Sequence, residues 1–220
     1  ELVAGANATP EDIIRVRAYL GLDQPFLVQY GVYLKNLLTG NLGTSLTTRQ
    51  PILQEIIVRL PHTLNLACSS MIVALVIGIP TGIIAAIKKD TFIDNLLTTT
   101  SLAGISIPNF WLGSMLILLF SVTLRWLPTG GMNEPFWTAV GFKQAILPSI
   151  SLGLAVAAGF TRIGRSAMLD VLQSDYIRTA KSKGIKGYKV ILIHALRNAM
   201  IPIITQFGTS FGGLLGGAII

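Results

Sequence analysis

"YIRTAKSKGIKGYKVILIHALRNAMIP", residues 176–202, is a basic, glycine-broken stretch in a chain otherwise greasy enough to dissolve in lipid. Arg178, Lys181, Lys183, Lys186, Lys189 and Arg197 fall within it, Gly184 and Gly187 interrupt it, and it slides back into apolar sequence. Ser166 to Lys183 reads as a helix with apolar contacts at Met168, Leu169, Leu172, Tyr176 and Ala180. Gly184 ends that helix, Gly187 permits a second bend, and "YKVILIHALRNA" resumes helically. A basic element at a membrane surface binds anionic headgroups, but that role requires neither the break nor the return helix. A lever seated in a groove of another protein requires both.

The surroundings set the class. Of the 220 residues 51% are hydrophobic and only 12% charged, and the mean hydropathy of +0.65 lies outside the range of ordinary soluble domains. The net charge of +7 does not point to nucleic acid, because the basic residues sit between long apolar runs rather than on one solvated face. The single cysteine, Cys68, lies in an apolar run and excludes a disulfide framework within the chain.

Four stretches are apolar enough to cross a bilayer, which takes about 20 residues at ~1.5 Å each. They run over about 63–87, 96–124, 145–161 and 199 to the chain end. The last run stops at "LLGGAII" and the chain opens on Glu1, so the sequence reads as a piece of a longer membrane protein. Residues 1–61 form an external helical segment, and 62–220 a transmembrane domain whose cytoplasmic loop covers 162–198. Lys88, Lys89, Arg162, Arg165 and the basic residues of the opening stretch mark the cytoplasmic side. The opposite side carries Arg125 and Lys143 in a short loop. Its N-terminal segment offsets five basic with five acidic residues, and Trp126 and Trp137 suit an interfacial belt.

In the external segment, Thr9, Pro10 and the acids at 11 and 12 signal a helix start, and Gly21 a stop. Pro25 and Gly40 bracket a second short helix. Ile13, Val16 and Leu20 form one apolar stripe, and Phe26, Tyr30, Tyr33 and Leu37 another. Both helices are too short to span, so they pack on the external face or lie on the membrane surface. Docking of a delivery protein there is the second reading.

Pro80 and Pro108 break hydrogen bonds inside the spans and predict helix kinks. Gly208, Gly212 and Gly216, with Gly213 and Gly217 beside them, predict close helix packing. No ionisable residue falls near mid-membrane, which weakens an ion-coupled carrier. Asn65, Ser106, Asn109 and Ser149 are the polar candidates for a translocation path, although such residues also satisfy neighbouring helices. No phosphate-binding loop, zinc motif or nucleophile elbow occurs, and His62 and His194 fall on opposite sides of the membrane. The chain is therefore expected to be no enzyme and to bind no cofactor or metal of its own.

"DYIRTAKSKGIKGYKVILIHALRNAMIP" resembles the cytoplasmic loop of permease subunits of bacterial ABC importers, in the dipeptide/oligopeptide branch. Arg178, Thr179 and Ala180 stand where the general importer signature has Glu-Ala-Ala, Gly184 at its glycine, and Leu196–Arg197 where it has Leu-Pro. "LGLDQPFLVQYGVYLKNLLTGNLGTSL", "RLPHTLNLA" and "SIPNFWLG" resemble the same subunits, so the likeness covers nearly the whole chain. It implies an all-α polytopic bundle of the type I importer kind in the bacterial cytoplasmic membrane, here without a first and a last span. It also implies a second, homologous permease, two cytoplasmic ATPases that carry ATP and magnesium, an external substrate-binding protein and surrounding lipid.

The loop 176–187 would be the coupling helix through which ATP binding drives alternating access. In that frame Gly184 enables the bend, and Arg178, Lys181 and Lys183 meet the ATPase together with Thr179 and Ala180. His194, Arg197 and Asn198 brace the return helix. The branch includes relatives serving peptides, glutathione, nickel complexes and some sugars. A secondary carrier or channel, and a non-transporting membrane scaffold, are the alternatives.

Overall fold

The computed structural model describes residues 9–19, 21–45 and 47–216, with the side chains of residues 12, 13, 16 and 19 left out. Among the described residues every regular element is a helix, and one isolated bridge joins Thr44 and Pro51. Two compact units divide at Pro61 and His62.

The first unit holds α1 (Pro10–Tyr19) and α2 (Phe26–Leu38). Pro10 opens α1 at the position where a missing N–H costs nothing. Gly21 and Gly40 take positive φ angles of 66° and 75° beyond the two helices, a conformation that suits glycine. The stripe at Ile13, Val16 and Leu20 lies outside the described side chains. The stripe of α2 is described: Phe26, Tyr30, Tyr33 and Leu37 are all exposed, with the rings of Phe26 and Tyr30 stacked. Between α2 and α3 a tight turn carries Arg49 at φ 57°, and the Thr48 hydroxyl bonds the Glu55 carboxylate.

Three helices are long and apolar enough to cross a membrane: α3 (Ile52–Ile87), α6 (Ala139–Leu172) and the run Gly187–Gly216. Each extends beyond the apolar stretch that announces it. The Glu55–Arg59 pair, one turn apart, supports the polar start of α3. That helix stays α-helical through Pro80, where the Thr81 hydroxyl donates to the Ile77 carbonyl at 2.5 Å. The run Gly187–Gly216 comprises a short α8 (Gly187–Lys189), a π-helical stretch Val190–Ala195, and α9 (Leu196–Gly216).

The second apolar stretch departs most from a straight span. It forms α4 (Phe92–Ser106) and α5 (Asn109–Leu116), which continues π-helically over Ile117–Thr123, and the two parts meet at 96°. Ile107 and Pro108 are both extended at the junction. Proline lacks an N–H and pushes its predecessor away from helical angles, so a complete break replaces a mild kink. Contacts along α6 still advance steadily. Asp94 meets Arg165, Gly104 lies near Ala158, and the Asn109 carbonyl accepts from Ser151 at 2.7 Å. Arg165 to Ser151 is 14 residues, about 21 Å of helix rise.

α3 and α6 approach at glycines. A Cβ at Gly78 would lie 2.5 Å from the Ala157 carbonyl oxygen, one at Gly82 2.8 Å from that of Thr161, and one at Gly153 2.8 Å from that of Ser70. The Thr161 hydroxyl and the Ser69–Ser149 hydroxyl pair, 2.7 Å apart, tie the same seam. Ala67, Met71, Ala74, Leu152, Ala157 and Phe160 fill the core, joined by Ile203 and Leu214 of α9. The glycines of α9 differ from this pattern: nothing lies within 4 Å of a Cβ built at Gly208, Gly212, Gly213 or Gly216. They pack against no helix of this chain among the described residues, and Gly217 lies outside them.

Candidate coupling segment and translocation path

The stretch expected to be one helix from Ser166 to Lys183 is two. α6 runs to Leu172, Gln173 caps it, and α7 begins at Asp175. Ser174 at the junction is extended (φ −70°, ψ 151°), and its hydroxyl donates to the Val171 carbonyl at 2.6 Å. A serine whose side chain bonds nearby backbone competes with helix continuation. Apolar periodicity continues across the junction, which is why the break is invisible to pattern alone.

α7 (Asp175–Ser182) is two turns long and firmly seated. Ile177 is 0% exposed, and with Ala180 it packs against Ala167 and Met168 of α6, Val190 and Ala195 of the π-helical stretch, and Ala199 of α9. Ala86 at the end of α3 completes the cluster. The other face is polar: Arg178 is 79% exposed, and Thr179, Lys181 and Lys183 are exposed beside it.

The C-terminus of α7 closes as the glycine spacing requires. Gly184 has φ 74°, its N–H donates to the Lys181 carbonyl at 3.0 Å, and the Ile185 N–H donates to the Ala180 carbonyl at 3.3 Å. These two bonds form a Schellman motif, with Ile185 packed on the same apolar cluster. Gly187 differs: it opens α8 and carries no positive φ, and the bend falls on Gly184, Ile185 and Lys186.

Of the bracing candidates, Asn198 reaches across and donates from its side-chain amide to the Tyr176 hydroxyl at 2.6 Å. This bond pins α7 to α9. His194 is half-buried in the π-helical stretch and Arg197 is exposed. Lys88 and Lys89 follow α3 beside this cluster, so the basic residues assigned to the cytoplasm gather at one end of the second unit. His62 belongs elsewhere, its Nδ1 lying 2.9 Å from the Met132 carbonyl oxygen.

The path candidates separate. Asn65 is buried, donates to the Glu134 carbonyl at 3.2 Å and accepts from the Phe136 N–H at 3.1 Å, so it clamps the loop before α6. Ser149 is buried against Ser69. Ser106 bonds its own helix at Leu102, and Asn109 sits at the break, its carbonyl held by Ser151. The structure gathers these four into no common site.

A buried ion pair is absent from the sequence expectations. Asp94, 2% exposed, receives Arg165 Nε and Nη2 at 2.6 Å each, and accepts further from the Asp90 N–H and the Thr98 hydroxyl. The Arg165 side chain keeps 28% exposure. Such a two-pronged contact joins the first turn of α4 to the C-terminal half of α6 with fixed geometry. Its local signal is present in sequence, since Thr91 caps α4 and Asp94 stands three residues on, a capping-box spacing. The partner, 71 residues away, is not. Among the described residues no group of three His, Cys, Asp or Glu side chains could hold a metal ion.

A family model described as "Binding-protein-dependent transport system inner membrane component" matches residues 78–220, and its N-terminal companion model matches residues 1–67. The glutathione transport system permease protein GsiC of Escherichia coli K12 is 45% identical over 219 residues. That alignment covers all of this chain and 69% of the relative. GsiC of E. coli O6:H1 and of Salmonella typhimurium LT2 are each 46% identical with the same coverage.

Proposed function

We propose, for a chain that belongs to the inner-membrane components of binding-protein-dependent transport systems, that α7 and the turn after it convert ATPase movement into movement of the spans. The chain is the permease subunit of an ABC importer, and ATP hydrolysis lies on partner subunits rather than on the chain itself. A substrate-binding protein and ATPase subunits are its partners. The fuller assembly belongs to the proposal: a second homologous permease, and two ATPases holding ATP and magnesium.

One observation carries the coupling role. The inner face of α7 is sealed into a cluster shared by α3, α6 and α9, while its outer face presents Arg178, Thr179, Lys181 and Lys183. A push on the exposed face therefore reaches three membrane helices without passing through a loose loop. Asn198 adds a direct tether between α7 and α9. The relatives, which are glutathione permeases by name, support a peptide-like cargo. We infer small peptides or glutathione-like peptides.

The test is uptake by the complete transporter in proteoliposomes, with glutathione as the first solute. The expected result is accumulation that needs both the binding protein and ATP. Accumulation driven by an ion gradient without ATP would favour the secondary-carrier reading.

The charged face makes a second, smaller prediction. Changing Arg178, Lys181 and Lys183 together to alanine removes three cations from the ATPase seat. Exposed pairs contribute about 0–1 kcal/mol each, so the ATPases should stay bound at low ionic strength and leave at lower salt than from the parent. Pull-down across a salt series in neutral detergent reads this directly. Unchanged retention would assign these cations to lipid headgroups.

A further inference from the structure

α4 and α6 enclose a cavity of about 260 Å³ next to the Asp94–Arg165 pair. Thr98, Ser101, Thr161, Arg162, Arg165 and Ser166 supply its polar wall. Leu102, Ile105 and Ala158 line its apolar side. Its depth follows from α3. A Cβ at Gly82 would sit 2.8 Å from the Thr161 carbonyl oxygen and 3.1 Å from the Arg165 backbone nitrogen, and Lys88 lies six residues further along. Six residues of helix rise about 9 Å, so the cavity lies inside the cytoplasmic rim.

The two arginines there are not equivalent. Asp94 engages Arg165 through Nε and Nη2 and neutralises it. Arg162, one turn deeper, lines the cavity, is exposed, and makes no ion pair among the described residues. The hydroxyls are also committed in one sense only. Thr98 donates to Asp94, Ser101 to the Leu97 carbonyl, and Thr161 to backbone carbonyls, which leaves their oxygens free to accept. The pocket thus offers a guanidinium to an anion and, beside it, acceptors to an N–H. A peptide terminus brings that combination, a carboxylate with an adjacent amide N–H. An arginine that merely marked the interface would need no hydroxyl-lined pocket beside it.

We propose that this cavity is a carboxylate subsite on the cytoplasmic half of the translocation path, with Arg162 as its cation. Arg162 forms charge-assisted hydrogen bonds to the carboxylate, and Thr98 and Ser101 accept from the neighbouring peptide N–H. Asp94 acts as a positioning residue, keeping Arg165 out of competition. The proposal rests on the peptide cargo inferred above.

The test reads binding without requiring transport. Leu102→Cys, on the apolar lining and outside the proposed contacts, is introduced into a Cys68→Ser background, and the complete transporter is placed in nanodiscs of neutral phosphatidylcholine. Maleimide labelling of this chain is timed with N-acetyl-diglycine and with its neutral amide. The carboxylate should slow labelling several-fold more than the amide. Because a hydrogen bond to a charged group contributes on the order of tenfold or more in affinity, Arg162→Gln should lose about tenfold in protection, and Arg162→Lys should keep part of it. Equal protection by acid and amide in the parent overturns the subsite, as does full protection in Arg162→Gln. Shielding by phosphatidylglycerol nanodiscs with no peptide added also overturns it, by giving the site to a lipid headgroup. Failure of ATP-driven glutathione uptake with carboxylate protection intact would refute the cargo and leave the subsite standing.

Discussion

Asp94→Ala should destabilise the protein by about 3 kcal/mol, because it leaves the Arg165 guanidinium without its carboxylate in a mostly dry contact. Removing one member of a buried pair typically costs about 3–5 kcal/mol. The lower end applies here because Arg165 retains 28% exposure and so a partial route to water. Two more bonds are lost with the carboxylate, those from the Asp90 N–H and the Thr98 hydroxyl. The double variant Asp94→Ala, Arg165→Met should recover part of the loss, since it removes the unpaired guanidinium although not the missing bonds to Asp90 and Thr98. Thermal unfolding of the purified transporter in detergent, followed by size exclusion, distinguishes the three proteins. A double variant no more stable than Asp94→Ala would contradict the ion-pair account and assign the loss to packing.

The elements that were legible in sequence are those fixed by local chemistry. Gly184, Gly21 and Gly40 stand where helices end in the left-handed region, and only a residue without a Cβ adopts that conformation freely. The basic residues of α7 and the apolar length of the spans were readable for the same reason: each acts within one or two turns. The apolar stretch that closes before Arg162 does not mark the end of its helix. Arg162 and Arg165 continue α6 to Leu172, since a helix leaving the bilayer need not unwind. Pro108 was legible as a breaker, but the angle of the break depends on where α5 finds its contacts on α6. Pairings between distant elements were not legible at all. Asn65 with the loop at 134–136, Ser149 with Ser69, and Asp94 with Arg165 each join residues 69 or more positions apart. Nothing in their own neighbourhoods distinguishes a polar residue lining a path from one holding two helices together.

The seal beneath α7 gives the coupling account its sharpest consequence. Gly184 holds φ 74° and closes the Schellman motif that fixes the end of α7, although no neighbouring atom crowds it. A β-branched side chain there costs on the order of 1–3 kcal/mol in backbone strain. That is enough to unwind the last turn of a helix only two turns long. Asparagine tolerates the same region far better. Gly184→Val should therefore loosen the link between the exposed face and the spans, and Gly184→Asn should largely preserve it.

The decisive measurement is the ratio of solute imported to ATP hydrolysed, taken in proteoliposomes on complexes shown to retain their ATPase subunits. The account predicts that Gly184→Val lowers this ratio by about tenfold or more, given that strain, while ATP hydrolysis continues and Gly184→Asn stays near the parent. A Gly184→Val transporter that imports as much solute per ATP as the parent would contradict the claim that α7 and its closing turn drive the spans.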